Sequence, residues 1–138
     1  MLFRSLPTRH TLHTMMQAHA RFGTTAMLPT VITDSIDTMQ QAADAIAAAI
    51  ADKEPGIIGV HFEGPHLSLP KKGVHPQQHI RQLSAAELAI YGRKDLGIKL
   101  VTVAPENLSP AQIRQLVELG VIVCLDRKST RLNSSHRL

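Results

Sequence analysis

His61, Glu63 and His66 crowd the end of an apolar run, Ile57-Ile58-Gly59-Val60-His61-Phe62-Glu63-Gly64-Pro65-His66. Side chains alternate along an extended chain, so His61 and Glu63 point to the same side. A carboxylate at the end of an apolar strand needs a cation, because burying it unpaired is costly. A divalent metal is one solution; an Arg or Lys is another. His61 also fits as a hydrogen-bonded core histidine. Further on, Lys71-Lys72-Gly73-Val74-His75 puts a basic pair, a flexible glycine and a histidine in one stretch. Such a set can hold an anionic group such as a phosphate, although a solvated surface loop has the same composition. Val103-Ala104-Pro105-Glu106 offers a second carboxylate, next to a helix start where a structural role serves equally well. His10, His13, His66 and His79 have no partner at a telling spacing.

These groups need elements to hold them. Leu12, Met15, Met16, His19 and Phe22 recur at helical spacing, which predicts a helix over 11–22 stopped by Gly23. Thr24 to Leu28 is β-prone and is broken by Pro29. Ser35 caps an Ala-rich helix through about Asp52, with Ile36, Met39, Ala43, Ile46 and Ile50 on one face. Ile57 to Phe62 follows as a continuous apolar strand, of the kind buried on both faces of a parallel sheet. A loop rich in Gly and Pro runs from Glu63 to about Leu83. Ser84 and Glu87 form a capping box for a third helix closed by Gly92. Ile98 to Val103 is a strand. Ser109-Pro110-Ala111-Gln112 starts a fourth helix, which Gly120 ends. Val121 to Leu125 is the last strand.

Helices and strands alternate throughout, which implies parallel βαβ units with right-handed crossovers. A doubly wound sheet and part of a (β/α)8 barrel both fit. No G-x-G-x-x-G or P-loop follows any strand, which weakens nucleotide binding. A whole barrel takes roughly 250 residues, so 138 residues would make about its first half.

Composition narrows the classes. With 43% hydrophobic and 19% charged residues the chain is ordinary globular material, about one domain long. No apolar run is long enough to span a bilayer and no signal peptide opens the chain, so no membrane partner is expected. The single cysteine, Cys124, excludes a disulfide framework and a multi-cysteine zinc site, and points to a reducing, cytoplasmic setting. Aromatic residues make up 3%, against a stacking platform for single-stranded nucleic acid.

The net charge of +4 sits mostly in Asp126 to Leu138, where four basic residues face one acidic. This segment has no helical period, no alternation and almost nothing apolar. It reads as a disordered basic tail. Asp-Arg-Lys-Ser-Thr-Arg-Leu-Asn-Ser-Ser-His also resembles the translation of a sequencing-library adapter. On that reading residues 126–138 are non-native, the native sequence ends at Leu125 in mid-domain, and His136 is no ligand. Residues 1–10 show no clear pattern and are expected to be ragged or non-native. The organised domain is expected at 11–125.

The pattern GVHFEGPHLSLPKKGVH resembles the metal-binding strand and loop of the N-acetylglucosamine-6-phosphate deacetylases, TIM-barrel enzymes of the amidohydrolase superfamily. RFGTTAMLPTVITD resembles the segment before it, and VTVAPE and Gly120-Val121-Ile122-Val123 the segments after it. The resemblance covers roughly Thr11 to Leu125. It implies an amino-sugar catabolic hydrolase that converts N-acetylglucosamine 6-phosphate to glucosamine 6-phosphate and acetate, with a divalent ion, zinc or iron(II), and a homodimeric parent. It implies that Glu63 is a metal ligand and that Val74 and His75 contact the sugar phosphate. It supplies no catalytic residue here: the family's two histidine ligands and its general base have no counterpart in this sequence. The chain as written is therefore expected to be inactive, and marginal in folding because a half barrel leaves two open strand edges. The competing expectation is a small noncatalytic α/β module whose basic tail binds a polyanion. The deacetylase reading expects no nucleic acid.

Overall fold

The computed structural model describes residues 7–126. The remainder of the basic tail expected to be disordered, 127–138, lies outside the described residues, as do 1–6.

Thr8 accepts a hydrogen bond from the Thr11 amide and starts helix α1 (Arg9–Ala20), which turns Leu12, Met15 and Met16 into the core. Strand β1 (Thr30–Ile32) follows, then α2 (Ile36–Ala51), capped by the Ser35 hydroxyl on the Thr38 amide. Strand β2 (Gly59–Glu63) leads into a loop with two short 3-10 turns, Leu69–Lys71 and Gln77–His79. Helix α3 (Ala85–Tyr91) carries the full Ser84/Glu87 capping box. Strand β3 (Ile98–Val103), helix α4 (Pro110–Glu118) with its Ser109/Gln112 box, and strand β4 (Val121–Leu125) complete the run.

The four strands form one sheet in the order β1-β2-β3-β4, all neighbours parallel. Val31, Phe62, Val101 and Val123 stand abreast in one row of the register. This row, with Val60, Val103 and Val121, packs against apolar residues of all four helices. The opposite face carries the rows Thr30, His61, Leu100, Ile122 and Ile32, Glu63, Thr102, Cys124. None of these belongs to the helix-backed core. All the helix packing therefore lies on one side of a sheet whose strands run in chain order. That is the arc of a (β/α)8 barrel; a doubly wound sheet carries helices on both faces. The chain is a partial (β/α)8 barrel.

Three local expectations are corrected. The first strand lies at 30–32 rather than 24–28. Pro29 has no N–H to donate, but its carbonyl accepts the His61 amide at 3.0 Å, and regular pairing begins after it; Met27 makes only an isolated bridge to Ile57. The first helix ends at Ala20, two residues short, so Phe22 leaves the apolar stripe and is 89% exposed. Strand β2 is fully buried on its helix side only. His61 and Glu63 are half-buried, because among the described residues nothing comparable to the helix layer covers their face.

Candidate functional site

Glu63 ends β2 at the carboxyl edge of the sheet, where βα units present their chemistry. The loop that follows returns to it. Lys72 accepts the His75 amide on its carbonyl at 2.9 Å, closing a turn in which Gly73 takes φ +54. This turn brings His75 Nε2 to 3.7 Å from Glu63 Oε1. The side chain of Glu63 is 37% exposed and that of His75 is 10% exposed. Glu63, Leu67, Lys71, Lys72, Val74 and His75 line one cleft of about 200 Å³. The carboxylate and the basic loop, predicted separately from sequence, thus meet at one place. Val74 is 78% exposed and stands on the cleft wall.

The loop is held at its base by buried polar contacts. The Arg81 amide donates to the Pro65 carbonyl at 3.1 Å, and His66, fully buried, donates from Nδ1 to the Arg81 carbonyl at 2.9 Å. Arg81 donates from Nε to Glu87 at 2.6 Å and from one Nη to the carbonyls of Asp34 and His79 at 2.8 and 2.9 Å. Glu87 is 1% exposed. Burial alone would raise its carboxyl, but hydrogen bonds from Ser84 and Arg81 outweigh that and hold it below the usual range. Burial pushes the His66 imidazole down.

His61 does not join the cleft. It sits between two hydroxyls, Nδ1 3.1 Å from Thr30 Oγ1 and Nε2 2.9 Å from Thr102 Oγ1. Burial lowers its pKa, opposed by the nearby Glu63 carboxylate. Glu106 is exposed beyond β3 and does not line the cleft. His13 pairs with Glu54 at 2.7 Å on the outer surface. Two residues outside the predicted site set adjoin the cleft, the first of them at the start of the segment expected to be non-native. Asp126 lines the cleft, and its amide continues the β4 pairing to the Val103 carbonyl at 2.8 Å. Thr33, 1% exposed, bonds both the Glu63 carbonyl and His75. Thr33 escaped notice because it follows a strand that was expected six residues earlier.

The donor set sets a limit on metal chemistry. Among the described residues no three His, Cys, Asp or Glu side chains converge to hold an ion. Catalytic zinc sites usually take three protein ligands. The described residues alone do not make such a site; Glu63 can supply one ligand.

Comparison with known proteins shows what this chain is similar to. An N-acetylgalactosamine-6-phosphate deacetylase of Shewanella sp. (strain ANA-3) is 57% identical over 125 residues, covering 91% of this chain and 32% of the relative. The N-acetylglucosamine-6-phosphate deacetylase of Bos taurus is 34% identical over 119 residues, covering 82% and 29%. The crystal structure of N-acetylglucosamine-6-phosphate deacetylase from Pasteurella multocida superposes with a TM-score of 0.80 at 34% identity, covering 88% of this chain and 32% of that one. The chain is homologous to one segment of the amino-sugar-6-phosphate deacetylases. It spans about a third of the length of the deacetylases it matches. The Thermotoga maritima deacetylase structure agrees more loosely, with a TM-score of 0.63 at 28% identity over 75% of this chain. No protein-family model matches. Among the described residues no helix is long and apolar enough to cross a membrane.

Proposed function

We propose that this chain is part of a metal-dependent amidohydrolase that hydrolyses an N-acetylhexosamine 6-phosphate to the amino-sugar phosphate and acetate. The supporting observation is the meeting of Glu63 with Lys71, Lys72, Val74 and His75 on one cleft at the carboxyl edge of a parallel sheet. The sequence resemblance pointed to the gluco substrate. The 57% identity to a relative named for the galacto substrate, against 34% for one named for the gluco substrate, favours the galacto epimer.

In this reading Glu63 supplies one ligand to a divalent ion, zinc or iron(II), and the other ligands and the general base come from outside the described residues. Such an ion, when bound, lowers the pKa of water and polarises an amide carbonyl. Val74 and His75 contact the sugar, with the ring of His75 held on the cleft floor and Val74 offering an apolar wall. Lys71 and Lys72 place positive charge beside an anionic substrate. The 138-residue chain alone has no turnover, because one carboxylate does not retain a catalytic ion. The parent is a cytoplasmic homodimer, and residues 126–138 are non-native; both rest on the resemblances in the sequence.

The test is a chimaera in which residues 11–125 replace the equivalent segment of the Shewanella deacetylase. Acetate release from N-acetylgalactosamine 6-phosphate, exceeding that from the gluco epimer, is the expected result. A folded chimaera that releases acetate from neither sugar phosphate contradicts the proposal.

A further inference from the structure

Thr33 occupies an unusual junction. It lies one residue past β1, 1% exposed, between the end of β2 and the cleft loop. Its hydroxyl donates to the Glu63 carbonyl at 3.1 Å, and its Oγ1 lies 2.9 Å from His75 Nδ1. Room for it comes from Gly64. A Cβ at position 64 would meet Thr33 Oγ1 at 2.1 Å, and Gly64 holds φ +89, which L side chains rarely adopt. One side chain therefore ties the backbone of Glu63 to the ring of His75, across 42 residues of sequence.

A threonine hydroxyl has one hydrogen and can accept as well. The Glu63 carbonyl can only accept, so the single Thr33 hydrogen goes there. The contact to His75 must then be made by a hydrogen on Nδ1. With Nδ1 committed, the ring edge turned to the cleft is Nε2. It stands 3.7 Å from Glu63 Oε1, beyond hydrogen-bond range.

We infer that Thr33 is a positioning residue: by engaging a hydrogen on His75 Nδ1 it fixes the orientation of the ring, so that the Nε2 edge is the one presented to the ligand. Thr33 does not touch the ligand; it acts through His75 and through the backbone of Glu63. This rests on the deacetylase reading only for the identity of the ligand, since the hydrogen bond at Nδ1 is a property of the chain itself.

Two measurements test it. In the full chain labelled with ¹⁵N at histidine, His75, assigned by loss of its signals in His75→Gln, should carry its hydrogen on Nδ1. That signature should survive in Thr33→Ser, which keeps the hydroxyl, and vanish in Thr33→Val, which is nearly isosteric. An Nε2–H tautomer in the unsubstituted chain, or an unchanged ring signature in Thr33→Val, overturns the inference. In the chimaera, Thr33→Val should raise KM for the N-acetylhexosamine 6-phosphate about tenfold, the worth of a lost hydrogen bond, and Thr33→Ser should restore it. A general loss of structure would instead lower the active fraction and leave KM in place. Where Thr33→Val does not fold, Thr33→Ala serves in its stead. A KM unmoved by removing the hydroxyl contradicts the inference. An unsubstituted chimaera without activity would count against the deacetylase reading alone and leave the hydrogen bond at Nδ1 to the first measurement.

Discussion

The two faces of this sheet are built from the same strands and obey different rules. The face under the helices is closed: Val31, Val60, Phe62, Val101 and Val103 are at most 2% exposed. The charged group on it is hydrogen-bonded at short range. Lys99, on that side, donates to the carbonyls of Arg93 and Leu119 at the ends of α3 and α4, and burial holds its ammonium below the usual lysine range. The other face is open and mixed. Ile98 and Ile122 are about half exposed, beside His61, Thr102 and Glu63. One face is optimised for packing, whereas the other holds groups that need a partner. Stability therefore resides on the first and chemistry at the rim of the second.

The sharpest contrast comes from neighbours in sequence. Phe62→Ala, in the chimaera, should destabilise by about 3–5 kcal/mol, since it empties a fully buried site that also packs edge-on against Tyr91. His61→Asn, one residue away on the open face, should cost far less. Denaturant midpoints of the two variants measure the difference, and equal costs would erase the distinction between the faces.

Next in size is the buried pair at the base of the loop. Arg81→Ala leaves Glu87 buried without its cation and should cost about 3 kcal/mol. Its pH dependence has a definite sign. The folded state holds Glu87 below its ordinary value of 4.5, so the unfolded chain binds more protons across that window. The contribution is complete above pH 4.5 and is lost as pH falls through the depressed folded value. Glu87→Gln should flatten that part of the stability curve, and a curve that keeps its full acid slope would refute the assignment.

Smaller still is the cap of α4. Ser109→Ala removes the acceptor for the Gln112 amide and should cost about 1 kcal/mol. Val74→Ala, on the exposed tip of the cleft loop, should stay within about 0.5 kcal/mol in stability. The proposed role of Val74 predicts a rise in KM all the same. A stability loss at Val74 as large as that at Ser109 would move the loop tip from ligand contact to scaffold.

What was legible in the sequence follows the same division. Capping boxes are local, so the starts of α3 and α4 were readable to the residue. The strands at 98–103 and 121–125 were equally plain, being largely apolar runs each preceded by Gly. The strand at 30–32 was not, because three residues are too short for a pattern and Pro29 looked like a breaker when its carbonyl is in fact an acceptor for β2. At the site, Glu63 and the Lys71–His75 stretch stood out by residue type. Their convergence did not, since it depends on a turn at Gly73 and on the Arg81 anchor. Thr33 was invisible for a further reason: its role depends on the space left by Gly64, a contact across 31 positions of sequence.

On the proposed function, the carboxylate at position 63 binds the ion of an intact deacetylase. The direct measurement is the metal content of the purified chimaera beside its Glu63→Gln variant, by elemental analysis, with acetate release from N-acetylgalactosamine 6-phosphate on the same samples. The account predicts a bound divalent ion and turnover in the first, and loss of both in the second with the fold intact. A Glu63→Gln chimaera that retains its metal and its rate would contradict it.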